Sequence, residues 1–172
     1  MKWYKIIYFS GLFLIFYPSA FAQSNDTVCL EITGIVEHEG MLIDGVKIKL
    51  YKENEEMEMT EITSTPYHDH TFKFKLLKNA YYAIEVSKEG YIARMISIST
   101  QLPANVNVKP IFKYEFHLEM FKNKDGLDDY YLDFPVALID YDANKDLFMS
   151  HEKYTRFIKG KINESVKKSS KD

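Results

Sequence analysis

The sequence of 172 residues has one cysteine, Cys29, and one tryptophan, Trp3, with only five prolines and seven glycines. A lone cysteine cannot close an intrachain disulfide, so a scaffold held by bridges is excluded and stability must come from a hydrophobic core. So few glycines and prolines exclude collagen-like and low-complexity architectures. Charge of positive sign is also short. Lys and Arg number 22 against 25 Asp and Glu, and the formal net charge of −3 argues against a nucleic-acid partner, which favours a basic surface. No Gly-x-Ser-x-Gly elbow and no glycine-rich phosphate loop occur, so nucleophilic hydrolysis and nucleotide binding lack their usual carriers. On these absences the chain is expected not to be an enzyme and to need no cofactor.

Long apolar runs are equally scarce, with one exception at the start. Lys2 and Lys5 precede a mostly apolar stretch from Ile6 to Tyr17 that is short for a bilayer span. Pro18 then breaks it, and Ala20-Phe21-Ala22 offers small residues where a signal peptidase cuts. Residues 1–22 are therefore expected to be a signal peptide. The mature chain would be exported to the periplasm or cell surface, with no membrane span left after cleavage. Cleavage removes two lysines and no acid, which makes the mature chain more acidic still. Cys29 sits too far beyond Ala22 for an ordinary lipoprotein cysteine, and a buried strand cysteine is the simpler reading.

From Val28 the apolar period is two. Val46, Ile48 and Leu50 alternate with Lys47, Lys49 and Tyr51. Phe72, Phe74 and Leu76 alternate with Thr71, Lys73 and Lys75. Tyr82, Ile84 and Val86 share a face, and Phe112, Tyr114, Phe116, Leu118 and Met120 oppose Lys113, Glu115, His117 and Glu119. A polar residue at every second position is what a sheet with one wet face requires. Turn residues separate these runs, giving seven strands near 28–38, 45–53, 57–65, 70–77, 80–88, 91–99 and 110–121. The spacing predicts an all-β, antiparallel, Ig-like β-sandwich over residues 23–121. Residues 122–172 form a C-terminal extension. "FPVALIDYD" supplies one extra strand. A helix follows, with Ser150 as N-cap and an apolar stripe of Tyr154, Phe157, Ile158, Ile162 and Val166 that would dock on the sandwich.

Between Cys29 and Thr100 the chain resembles the carboxypeptidase regulatory-like domains of bacterial envelope proteins. The residues that carry the likeness are Gly34, Gly45-Val46-x-Ile48-x-Leu50, Phe72-x-Phe74-x-Leu76, Tyr82-x-Ile84-x-Val86 and Lys88-Glu89-Gly90-Tyr91. The family's Asp-x-x-Gly turn before the Phe-x-Phe strand is replaced by Tyr67-His68-Asp69-His70. The resemblance implies a transthyretin-like sandwich that serves as a noncatalytic binding or scaffolding module, with envelope proteins as partners. The alternative is a glycan- or Ca²⁺-binding protein of the periplasm or surface. For a glycan, the outward-pointing Tyr51, Tyr81, Tyr130 and Tyr131 are the stacking candidates.

Two stretches could hold a metal. His68 and His70 lie two apart, which on a strand puts both imidazoles on one face, a pair that could also serve a zinc hydrolase. Asp142, Asn144 and Asp146 alternate like the start of a calcium loop. An EF-hand counted from Asp140 needs Gly at its sixth position and Glu at its twelfth, where this chain has Lys145 and His151. Both stretches therefore read better as polar turns, and no metal site is expected. The second would link the extra strand to the helix.

Overall fold

The computed structural model describes residues 27–67, 70–123 and 130–168. The signal-peptide expectation for residues 1–22 lies outside them. The described chain is mostly β-sheet, in two sheets that do not close into a barrel, followed by one helix. The strands are β1 (Val28–His38), β2 (Met41–Leu42), β3 (Val46–Glu53), β4 (Met59–Tyr67) and β5 (Thr71–Leu77). They continue with β6 (Tyr81–Ser87), β7 (Arg94–Ser99), β8 (Phe112–Glu119), β9 (Ala137–Asp142) and β10 (Leu147–Ser150), and helix α1 spans Glu152–Lys168.

One sheet is centred on β1, which pairs with β2, β5 and β8; the other runs β10-β9-β7-β6-β3-β4. The expected antiparallel arrangement holds for most pairs and fails for two. β1 runs parallel to β8, with Leu30 opposite Phe112 and Glu37 opposite Glu119. β7 runs parallel to β9, with Ile96 opposite Ala137. In both cases a long stretch of chain separates the partners, which a parallel crossover needs and a hairpin does not. Local alternation carries no information about that direction.

The alternation itself is realised. Val46, Ile48 and Leu50 are buried on β3, Phe72 and Leu76 on β5, and Tyr82, Ile84 and Val86 on β6. These residues from both sheets, with Ile158 and Ile162 of α1, belong to one core cluster. Each large aliphatic side chain buried there contributes about 1.5–3 kcal/mol relative to exposure. Cys29 is fully buried in it, and burial pushes its thiol up to about 11.

Two glycines explain themselves by geometry. Gly34 faces Phe72 on β5 and Phe116 on β8, and those rings meet edge-on at 5.9 Å across it. A Cβ there would enter the Phe72 ring and come within 2.8 Å of Phe116, so only hydrogen fits. Gly90 has φ of 77°, a turn conformation that L side chains rarely adopt, and the following Tyr91 meets the His38 ring edge-on at 5.2 Å.

The C-terminal part departs from expectation in three places. Two strands, not one, precede the helix, because residues 142–147 turn β9 back onto β10 as a hairpin, with Asp142 opposite Leu147. Helix α1 starts at Glu152, and Ser150 closes β10 instead of capping the helix; the first helical bond runs from the Thr155 N–H to the His151 carbonyl at 2.9 Å. Phe157 is 53% exposed, because the inward face of α1 is set by Ile158, Ile162 and Ser165.

Candidate functional site

The proposed metal ligands do not assemble. His68 lies outside the described residues. His70 approaches one carboxylate, with Nδ1 at 3.2 Å from Asp44 Oδ1. Asp142 Oδ1 accepts the Asn144 N–H at 2.8 Å, and Asp146 accepts the Tyr141 hydroxyl, so these side chains are used inside the β9–β10 turn. The other described histidines behave alike: His38 lies 4.0 Å from Glu119, His117 3.1 Å from Glu37 and His151 2.6 Å from Asp140. Each meets one carboxylate, and His38 Nδ1 lies closer to the Met120 carbonyl, at 2.8 Å. Among the described residues no group of three or more His, Cys, Asp and Glu side chains could hold a metal ion.

A different place collects unsatisfied chemistry. Strand β7 reads Arg94-Met95-Ile96-Ser97-Ile98-Ser99, and its inward positions are Arg94, Ile96 and Ile98. The period of two therefore aims a guanidinium inward beside two fully buried isoleucines. Arg94 is 2% exposed, and its Nε and Nη1 have no hydrogen-bond partner. The ring centroid of Phe121 lies 5.9 Å from its guanidinium carbon. Burial alone pushes its pKa down to about 10, with no acid acting to raise it. It therefore stays a cation at neutral pH.

Arg94 lines a cleft of about 430 Å³ between β7, β8 and α1. Part of the wall is apolar, formed by Ile96, Phe116, Leu118, Phe121, Val136 and Ile162. Thr155, in the first turn of α1, also lines the cleft, and its hydroxyl is buried without a partner. The two side chains that carry the three buried, unpaired polar atoms among the described residues, Arg94 and Thr155, thus both belong to the lining of this one cleft. Charged side chains that also line it are Glu115, His117, Glu119 and Lys159; of these Glu119 already accepts the Glu39 N–H at 2.7 Å.

Sequence reasoning missed both residues, although the signal was present. Arg94 is in phase with Ile96 and Ile98, a charge on the core face of a strand. Thr155 lies three and seven positions before Ile158 and Ile162, in phase with the buried face of α1.

A second cluster lies at the surface beside α1. Tyr130, Tyr131, Phe134 and Phe157 form a chain of ring contacts with centroids 4.9 to 6.3 Å apart. Tyr130 is 64% exposed and Phe134 41%. Tyr81 is exposed as expected, whereas Tyr51 is half-buried and donates to Glu85 at 3.0 Å.

No protein-family model matches the chain, and no curated protein matches it in sequence. Among solved structures it is similar to catechol 1,2-dioxygenase from Acinetobacter sp. ADP1 inhibited by bound mercury, at a TM-score of 0.40 and 11% identity over 66% of this chain and 59% of that one. Wild-type catechol 1,2-dioxygenase from Acinetobacter radioresistens gives 0.38 at 11% identity, covering 60% and 55%. The 3-chlorocatechol 1,2-dioxygenase from Rhodococcus opacus 1CP gives 0.35 at 12% identity, covering 59% and 62%. The chain thus spans less than two thirds of the length of these proteins. These neighbours correct the expectation that the chain is not an enzyme. That exclusion rested on absent motifs alone, and the three solved structures just named bear the names of enzymes. Likenesses of this size assign no reaction to it.

Proposed function

We propose that the chain is an exported binding or scaffolding module of the bacterial cell envelope, that its two sheets face each other as a transthyretin-like sandwich, and that the cleft beneath α1 holds its ligand. The sandwich reading is supported by the inward faces of both sheets sharing one core, and by the strand and Lys-x-Gly-Tyr pattern that resembles carboxypeptidase regulatory-like domains. The export reading is supported by the composition of residues 1–22. Among the described residues, no helix is long and apolar enough to cross a membrane.

The observation that carries the binding reading is Arg94, a buried cation with unpaired donors that belongs to the lining of a partly apolar cleft. Leaving such a group without a partner is costly, and ligand sites are where that cost is met by what binds. The cleft volume of about 430 Å³ also lies in the range of small-molecule sites. Native mass spectrometry of the processed chain, taken from its own envelope without denaturation, tests this. The expected spectrum contains a species heavier than the denatured chain by one small molecule. Identical native and denatured masses, with no adduct from an envelope extract, would contradict it. N-terminal sequencing that begins at Gln23 is expected if export is right; retention of Met1 would refute it.

The exposed ring cluster of Tyr130, Phe134 and Phe157 favours a second reading, in which a glycan stacks on that surface. Its mark would be oligosaccharide binding lost on Tyr130→Ala but kept on substitution of Arg94.

A further inference from the structure

We propose that the ligand of the cleft beneath α1 is an organic monocarboxylate with an apolar body. Its carboxylate pairs with Arg94 and accepts from the Thr155 hydroxyl, and its body lies along Ile96, Phe116, Phe121, Val136 and Ile162. The inference rests on reading the cleft as a binding site and goes on to name what fills it.

The charge of the head follows from what the cleft holds. Arg94 is nine-tenths buried and more, its guanidinium lacks the anion that a buried cation needs, and no described carboxylate supplies one. A neutral head would leave that charge uncompensated, and a cation would add to it. A dianion such as a phosphate monoester is disfavoured for the opposite reason. One buried cation neutralises one negative charge, while Glu115 and Glu119 line the same cleft and repel a second. Glu115 and Lys159 are both exposed and offset each other, Glu119 is half-buried, and His117 is turned toward Glu37 at 3.1 Å, so the lining adds no uncompensated second cation for a dianion.

The body follows from the walls. A sugar would bring many hydroxyls against walls that at Ile96, Phe116, Leu118, Phe121, Val136 and Ile162 offer no side-chain partner. Each hydroxyl set against that part of the wall would lose its water for no bond in return. An alkyl or aryl body loses nothing on entering and releases water from aliphatic and aromatic walls. Arginine also suits a carboxylate geometrically, because its planar donors match the two oxygens.

Calorimetric titration of the purified chain with octanoate, octanol and octylamine, chosen to share one body, tests the assignment at neutral pH. Octanoate is expected to bind one per chain, about 10-fold or more tighter than octanol, as a charge-assisted hydrogen bond would give. Octylamine should not bind measurably. Arg94→Met should bring octanoate down to the affinity of octanol, whereas Arg94→Lys should retain part of the difference. Ile162→Trp, which fills the cleft and spares Arg94, should abolish binding of both while the circular dichroism spectrum stays that of the parent. Octanol or octylamine binding as tightly as octanoate would overturn the carboxylate assignment. So would octanoate binding that survives Arg94→Met unchanged, or no octanoate binding at all. In each of those cases an adduct in the native mass spectrum would still stand for a binding module with a different ligand; a bare spectrum would remove both readings.

Discussion

Thr100, just past the C-terminal end of β7, and Arg94, at its N-terminal end, are both withdrawn from solvent, at 0% and 2% exposure. Thr100 is fully used. Its hydroxyl lies 2.7 Å from the Leu77 carbonyl and 2.8 Å from that of Ala80, and accepts the Ala80 N–H at 3.0 Å. Its own N–H donates to the Ala80 carbonyl at 2.9 Å. Arg94 has a bigger polar group and leaves two of its nitrogens unpaired. One strand thus carries buried polarity that ties the fold together at one end and polarity that awaits a partner at the other. The first kind belongs to the architecture, and the second kind marks a site.

That contrast can be broken where the body is packed most tightly. Gly34→Val should cost about 3 kcal/mol or more, because the added carbons must displace the Phe72 and Phe116 rings on both neighbouring strands. Urea unfolding measures it, and a loss under 1 kcal/mol would mean that the body is looser than its contacts suggest. Thr100→Val is expected to lose about 1–3 kcal/mol by stranding the Ala80 N–H and the Leu77 carbonyl, and Thr100→Ser should recover most of it. A neutral Thr100→Val would erase the difference between the two ends of β7.

Cys29 sharpens the same comparison through pH. Its folded thiol, at about 11, stands above the ordinary value of 9.0, so the folded state holds the proton more strongly than the unfolded chain does. The corresponding stability is complete below pH 9 and is lost as pH rises through 11, by about 1–3 kcal/mol. Cys29→Ala, compared with the parent at pH 8 and pH 11, should flatten that part of the profile. Equal alkaline losses in the two chains would show that Cys29 is not sealed. The smallest effect is expected at Gly160, where an added Cβ meets nothing within 4 Å. Gly160→Ala should stabilise α1 by about 0.5–1 kcal/mol through helix propensity, and a loss would place something against that face of the helix.

The body of the protein was legible because its signal is local. On β3, β5, β6 and β8 the alternation names the inward residues correctly, and lysines mark the wet faces of β3 and β5. What escaped is non-local or too short. The parallel pairings β1–β8 and β7–β9 depend on segments brought together from far apart, and direction leaves no trace in either segment. β2 has two residues and β10 four, too few for a period to show. The candidate site was half legible. Arg94 broke the pattern at a position whose phase was readable, but its lack of a partner depends on β8 and α1 closing over it. The metal candidates failed for the converse reason: Asp142, Asn144 and Asp146 look like ligands in sequence, yet the hairpin uses two of their side chains for its own turn.

Everything proposed for the cleft depends on Arg94 being uncompensated within the chain. The direct measurement is the unfolding free energy of ligand-free Arg94→Met against the parent at neutral pH. An unpaired buried cation replaced by a side chain of similar volume should leave stability unchanged or raise it by about 1–4 kcal/mol. A fall of about 3–5 kcal/mol, the loss expected when an internal buried ion pair is broken, would mean that the chain already neutralises Arg94 and that the cleft awaits no anion.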